Sequence, residues 1–480
     1  MKKTLYVFIV LFVAVMLQNC QKGLNVMLVS STEESQWNVS NITSIKQFQE
    51  NESVDLELDT DEYQQTIDGF GGCFNELGWE ALSVLDQDEK EEVFQELFSA
   101  SGCNFTICRM PIGANDFALN WYSLNDSVGD YEMKYFNIDR DKTRLIPYIK
   151  AAMMYNPQLK VWGSPWCPPA WMKENGYYAC SPSEYNDLDP SLPRNENGLT
   201  NFIMNEKTLN AYATYLLTYV KVYREQGVNV YAVHVQNEPH SCQSFPSCLW
   251  KGPDLKNFIR DHLGPTFDRN QINAEIWYST FERPYEDEFA DELDMLFSDD
   301  RAMTYVKGMG FQWAGKKAIT AVHKMRSDIK LMHTESECGD GTNSWEQAEY
   351  LFDLFRHYFE NGAHSQMYWN MILSENPGSP WGWPQNSMIT INSQTRSVRY
   401  NPEFYVMKHI SHFVKPGARK LAIRENHADV VAFENVNSDV IVIVNNQNDK
   451  PTPLKMKLGS KIVTIVLLAH SFNTLQISNH

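Results

Sequence analysis

Eight short apolar runs, each followed by a loop and an amphipathic helical stretch, predict an α/β protein built on a closed (β/α)8 TIM barrel. The runs fall between about residue 66 and residue 390 and read TIDGFGG, FTICRMPIG, LKVWGSPW, VYAVHVQNEP, AEIWYSTFE, YVKGMGFQWAG, IKLMHTE and HSQMYWNMIL. Strand alternating with helix implies a parallel sheet, and eight such units over this length close on themselves. The competing open, doubly wound sheet lacks its usual reason, because neither G-x-G-x-x-G nor G-x-x-x-x-G-K-[ST] occurs. A further observation comes from the two ends of the chain. SVDLELD and EYQQTI before the barrel, and the stretch from DVVAFENV to FNTLQI after it, alternate with period two and carry polar turns at Asn437-Ser438-Asp439 and Asn446-Gln447-Asn448-Asp449. These predict an additional antiparallel β-sandwich domain built from both termini.

Between the strands, NAYATYLLTYVKVYREQG places Tyr212, Tyr215, Leu216, Tyr219 and Val220 on one helical stripe with Gly227 just past its end, a core-facing helix with a C-terminal stop. The leader reads differently. Lys2 and Lys3 precede an apolar run from Leu5 to Leu17, which is the pattern of an export signal and is too short for a stable membrane span. Leu17-Gln18-Asn19-Cys20 resembles a bacterial lipoprotein box, in which Cys20 becomes the lipidated first residue; plain cleavage nearby is the competing outcome. The expected division is a lipoprotein-type signal over 1–20, a polar tether over 21–38, N-terminal sandwich strands over 39–66, the barrel over 67–392 and C-terminal sandwich strands over 393–480. The chain is then expected to be exported and lipid-anchored to a bacterial membrane, touching that membrane only through Cys20.

The formal charge of −19 opposes binding to nucleic acid or an anionic surface. Aromatic residues at 13%, with 13 Trp and 23 Tyr, are enough to line a carbohydrate cleft as well as a core. Export permits disulfides, and Cys242 with Cys248 in SCQSFPSC are spaced so that they could close a short loop; the other thiols read as buried. No C-x-x-C or His-rich spacing points to a metal, and nothing calls for a cofactor.

Active sites of such barrels lie at the C-terminal ends of the strands. Glu238 closes the fourth run in Asn-Glu-Pro, and Glu335 closes the seventh in Thr-Glu. Alone, each would read as a solvated loop acid. As a pair across the barrel mouth they fit glycoside hydrolysis, in which one acid protonates the leaving oxygen and the other attacks the anomeric carbon or activates water. Parity puts His234, Gln236 and Glu238 on one face and His333 with Glu335 on another; the two histidines read as core or supporting groups. The Asn237 amide is placed to donate to a sugar hydroxyl, and Pro239 turns the chain out of the strand.

In addition, GFGG, CRMPIGANDFA, GSPWCPPAWMKENG, HVQNEP, GFQWAG, HTESECGDG, YWNM, WGWPQNS and PEFYVMKHISHFVKPGA, in that order, resemble glycoside hydrolase family 30, which includes glucosylceramidases and β-1,6-glucanases. The resemblance implies a retaining β-glycosidase acting on β-D-glucosidic bonds, with Glu238 as acid/base and Glu335 as nucleophile; Glu337, two residues on, is the alternative nucleophile. It implies sugar contacts at Asp116, Trp166, Asn237, Trp369 and Asn386, and a supporting role for Arg109. Trp313 and Gln312 are further candidates, in a stretch where glucosylceramidases have His-Trp-Tyr and this chain has Gln312-Trp313-Ala314. Substrates are expected to be a β-glucan or a glucoside. A β-fucosidase or β-xylosidase of the same family, and a non-catalytic glycan-binding lipoprotein, are the alternatives; the latter has no need of two opposed acids.

Overall fold

The computed structural model describes residues 24–191, 199–376, 379–425 and 429–479. Eight parallel strands close the barrel in chain order: β1 (Gly69–Cys73), β2 (Ile107–Pro111), β3 (Lys160–Ser164), β4 (Val230–His234), β5 (Glu275–Phe281), β6 (Val306–Gln312), β7 (Lys330–Glu335) and β8 (Ala363–Asn370). Each coincides with one of the eight predicted runs. Ile107, Trp162, Ala232, Trp277, Met332 and Met367 point inward and fill the lower barrel as one apolar layer, so the mouth above them is a floor for chemistry and not a pore. Gly71 lets β1 lie tight on β2, since a Cβ there would stand 1.8 Å from the Ile107 carbonyl oxygen.

The helix Glu206–Glu225 buries the predicted stripe of Tyr212, Tyr215, Leu216, Tyr219 and Val220. Asn205 caps its first turn by accepting from the Thr208 N–H, and Gly227 follows its end at φ +81°, a conformation that glycine adopts without steric cost.

The second domain is one sheet of ten strands folded over on itself. Along Val440–Asn446 every residue is buried. Val440, Val442 and Val444 face the sandwich core, while Ile441 and Ile443 join the barrel's apolar cluster. Val430–Glu434 divides in the same way, with Val431 and Phe433 turned to the barrel. Phe472 packs against Trp345 and Phe352 of the helix Trp345–Glu360, and each ring buried at this seam contributes about 1.5–3 kcal/mol.

Three expectations about the ends are corrected. The tether is a strand from residue 24 onward: Leu24–Ser31 pairs antiparallel with Ser471–Asn479 and places Val26 and Leu28 in the sandwich core. SVDLELD and EYQQTI do not make two strands but one of 11 residues, Leu56–Thr66. The sandwich resumes at Arg419 and not at 393, because the helix Pro402–Ser411 buries Phe404, Met407 and Ile410 in the barrel cluster. The export signal and Cys20 lie outside the described residues. The Cys242–Cys248 bridge that the spacing permits is also absent: the Cys248 thiol donates to Asn201 Oδ1 at 3.2 Å, and Cys242 lies beside the Cys180 thiol.

Candidate active site

Arg109, on β2, is fully buried under the barrel mouth and organises what lies above it. Its Nη1 donates to Glu335 Oε2 at 2.8 Å and to the Thr334 carbonyl at 3.2 Å. Its Nη2 donates to Asn237 Oδ1 at 2.6 Å, and Nε and Nη2 both reach Ser164 Oγ. The guanidinium lies 4.4 Å from the centroid of the Trp166 ring, and Trp166 packs against Trp369 at 5.3 Å. A buried guanidinium keeps its charge, so this site demands an anion, and its ion-pair partner is Glu335.

Gln312, at the end of β6, joins the two acids. Its Nε2 donates to Glu238 Oε1 at 2.9 Å and to Glu335 Oε2 at 3.3 Å. Those two oxygens are therefore at most about 6 Å apart, short of the ~6.5–9.5 Å spacing of inverting pairs. Gln312 is itself held by Arg109 and by the Thr334 hydroxyl at its Oε1. Glu238 also accepts from Gln243 Nε2 at 3.1 Å. Its backbone stands at φ +45°, and Trp313 beside Gln312 stands at φ +49°. Left-handed backbone at residues other than glycine costs about 1–3 kcal/mol and persists where the surroundings dictate it.

Burial, and next the Glu282 charge, push Glu238 up to about 7, while Gln312, Gln243 and Arg109 pull it down. Burial raises Asp116 to about 8, and the Glu238 charge adds to this. Burial also raises Glu335, against the pull of Arg109. Three acids thus share one guanidinium. Glu335 is the one in contact with it, which favours the charged form of Glu335 against burial, and Glu238, pushed up to about 7, gains its proton as pH falls through neutrality.

Polar groups without hydrogen-bond partners among the described residues gather around this cleft: Asp116 Oδ1 and the indole nitrogens of Trp121, Trp369 and Trp381. These side chains belong to or pack against the cluster formed by Phe117, Trp166, Phe245 and Trp369, with Asp116 adjoining it in sequence. Buried polar atoms left open in this way are what a ligand rich in hydroxyls would satisfy. From the mouth an arm of rings runs outward: Trp313 lies 5.9 Å from Trp383, Trp383 lies 5.2 Å from Trp381, and Trp381 lies 4.6 Å from Phe245.

The structure brings Arg109, Asp116, Trp166, Asn237, Glu238, Trp313, Glu335 and Trp369 to this one end of the barrel. It does not offer Asn386 to a ligand. That amide is fully buried, donating to Glu403 Oε1 at 2.6 Å and accepting from the backbone of Gly341 and Asn343, so it pins the loop after β7. Glu337 turns away from the cleft to Lys316 and the Tyr350 hydroxyl. His234 is stacked between Trp162 and Trp277 inside the barrel. His333 faces the other way, onto Tyr358 at 3.8 Å, and burial lowers it to about 3. The parity argument for Glu335 therefore fails in detail. A register shift pairs Phe311 with His333 but Gln312 with Glu335, and that extra residue is what delivers Glu335 to the mouth. Sequence reasoning missed Ser164, Thr280, Gln243 and Glu282, none of which carries a local signal.

The family model for the glycosyl hydrolase family 30 TIM-barrel domain matches residues 67–414, and that for the family's beta sandwich domain matches residues 417–475. Putative glucosylceramidase 2 of Caenorhabditis elegans is 26% identical over 420 residues, covering 82% of this chain and 77% of the relative. The endo-1,6-beta-D-glucanase neg1 of Aspergillus fumigatus is 24% identical, covering 83% of this chain and 82% of the relative. Among solved structures, SrfJ from Salmonella typhimurium superimposes with a TM-score of 0.84 at 25% identity, covering 95% of this chain and all of that one. With both family domains matched in order over a barrel that carries paired acids at its mouth, the chain belongs to glycoside hydrolase family 30, a family of retaining enzymes.

Proposed function

We propose that the protein is a retaining β-glycosidase that hydrolyses β-D-glucosidic bonds by double displacement, with Glu335 as nucleophile and Glu238 as acid/base. The observation that carries this reading is the single Gln312 nitrogen within hydrogen-bonding reach of both acids, which keeps one oxygen of each within about 6 Å of the other and so favours the retaining over the inverting geometry. In the first step the Glu335 carboxylate attacks the anomeric carbon as the Glu238 proton passes to the departing glycosidic oxygen. In the second step Glu238, now a carboxylate, takes a proton from the water that displaces Glu335. Contact with Arg109 favours the ionised form of Glu335 before attack, opposing the burial that raises it, and the outward position of Glu337 supports the choice between the two glutamates.

Relatives carry the names glucosylceramidase and endo-1,6-β-D-glucanase. The arm of rings from Trp313 to Phe245 favours the glucan. Flat indoles suit the C–H faces of a second sugar, whereas a ceramide calls for aliphatic walls. Export with a lipidated Cys20 is part of the proposal and rests on the leader sequence alone.

The test is to follow the products formed from β-1,6-glucan and from an aryl β-glucoside, with the anomer read by NMR, and to map the residue labelled by a fluorinated glucoside. The reading expects oligosaccharides from the glucan, a β-configured first product and a label on Glu335. An α-configured product, or a label on Glu337, overturns it.

A further inference from the structure

Against the turn that follows Glu238 lies a buried row of charge that the reaction as written does not use. The chain after Glu238 runs beside the end of β5, and the His240 N–H donates to Glu282 Oε1 at 3.0 Å. The Ser241 hydroxyl donates to the same oxygen at 2.9 Å. His240 Nδ1 lies 3.6 Å from Glu282 Oε2, and its Nε2 lies 2.7 Å from Glu292 Oε2. The Tyr278 hydroxyl closes the far end on Glu292 Oε1 at 2.6 Å. Glu282, His240 and Glu292 are 4%, 3% and 5% exposed. An imidazole between two carboxylates is held as imidazolium, because either acid alone would favour its charged form. Arg283 completes the row, its Nε 3.6 Å from Glu282 Oε1 and its Nη2 donating to the His240 carbonyl at 2.8 Å, so two buried carboxylates face two cations beside the turn that carries the acid/base.

A clamp for the 238–241 turn could be built from neutral groups. Burying two acids is expensive unless each is paired: Glu282 Oε1 accepts two hydrogen bonds and lies 3.6 Å from Arg283 Nε, while among the described residues no hydrogen bond reaches Glu282 Oε2, which faces the His240 ring at 3.6 Å. We propose that Glu282 is a positioning residue for proton delivery, and that its buried charge, fixed by His240 and Glu292, keeps the proton on Glu238 until the leaving oxygen takes it. The inference rests on the assignment of Glu238 as the acid. The groups around Glu238 from the neighbouring elements are Arg109 on β2, Asp116 after β2, His240 and Gln243 in its own loop, Glu282 and Arg283 after β5, Gln312 on β6 and Glu335 on β7. Lys251, Glu288 and Asp291 line the cavity of about 310 Å³ that adjoins His240 and Glu292.

The sign is definite. A neighbouring negative charge raises an acid's proton affinity, so Glu282→Gln lowers that of Glu238. In this variant the alkaline limb of kcat/KM moves down by about half a unit to one unit. Near pH 8 the rate on glucosides with poor leaving groups then falls about three- to ninefold more than on activated aryl glucosides, and acidification restores the ratio. Glu292→Gln moves the limb the same way by less, and stands in should Glu282→Gln fail to fold. A uniform loss of rate at every pH, with the limb unmoved in either folded variant, reduces the row to a structural clamp and overturns the proposal. Glu238→Gln is the control: if it leaves the leaving-group ratio unchanged, the acid assignment fails; if it alters the ratio and Glu282→Gln does not, only this inference fails.

Discussion

Replacing Gln312 by Met keeps the length of the side chain and removes the nitrogen that touches both acids. The distances of 2.9 Å to Glu238 and 3.3 Å to Glu335 make the first bond the stronger. A hydrogen bond to a charged group contributes about 1.5–3 kcal/mol. If that is lost from the transition state, kcat/KM falls about 10- to 150-fold. The change also has a direction on the pH axis. Gln312 stabilises the ionised form of Glu238, so without it Glu238 binds its proton more tightly and the alkaline limb rises, opposite to the effect of Glu282→Gln. Gln312→Glu separates geometry from charge. It keeps the oxygen that faces Arg109 and Thr334 but sets a third carboxyl against the other two. At neutral pH it should be the poorer enzyme, recovering in acid as protonation restores a donor. The assay is a pH profile of aryl β-glucoside hydrolysis for both variants, with thermal midpoints to confirm folding. A folded Gln312→Met protein within about threefold of the parent rate, its limb unmoved, would refute the bridging role.

The ring arm gives a second expectation. Trp383→Ala should leave hydrolysis of an aryl glucoside nearly unchanged and cost about tenfold in kcat/KM on β-1,6-glucan, the value of one stacked ring; equal losses on both substrates would mean that Trp383 only supports Trp313. Stability should also fall as pH rises. Burial raises Asp141 to about 6, Glu403 and Glu238 to about 7 and Asp116 to about 8. The folded chain thus keeps protons that the unfolded chain releases near pH 4, and it loses stability up to about pH 8. His240, raised to about 10 by Glu292 and Glu282 against burial, adds stability that is complete below about 6.5 and is lost as pH climbs toward 10. Both act in one direction, so the thermal midpoint should drop about 5–10 °C between pH 5 and pH 8; a flat or rising midpoint would count against the buried protons.

The barrel was legible because buried parallel strands are short apolar runs whose ends coincide with turns and acids, and the helix Glu206–Glu225 because one stripe of tyrosines fits a single helical face. Glu238 and Glu335 could be read from their places at strand ends. What escaped has physical causes. Val26 and Leu28 alternate as a strand should, but they follow an apolar leader that hides a period of two. Glu335 reaches the mouth through a shift of register against β6, and no rule of alternation contains such a shift. Asn386 belongs to a motif at the cleft, yet its amide bonds to Glu403 and the loop after β7, and hydrogen-bond partners distant in sequence are invisible there. The row of Glu282, His240 and Glu292 is assembled from the loop after β4, the end of β5 and the helix Asp287–Phe297, so no window of sequence holds it.

The hydrogen-bond pattern around Arg109 explains why these particular groups surround the two acids. In the proposed first step Glu335 loses its charge to an ester as Glu238 gains one by giving up its proton, so one negative charge crosses the cleft while the total stays fixed. A fixed cation on one side would resist that transfer. Arg109 touches Glu335 directly but also reaches Asn237 and, through Gln312, the Glu238 carboxylate. Gln312 donates to both oxygens from one nitrogen, so it can strengthen the bond on whichever side holds the charge without moving its backbone. Glu282 opposes the transfer until the leaving oxygen accepts the proton, and Arg109 with Gln312 lowers its cost once it occurs. A site arranged this way needs one buried cation, one neutral amide and one remote charge, and each of the three has a variant whose effect on the pH profile differs in sign or size from the others.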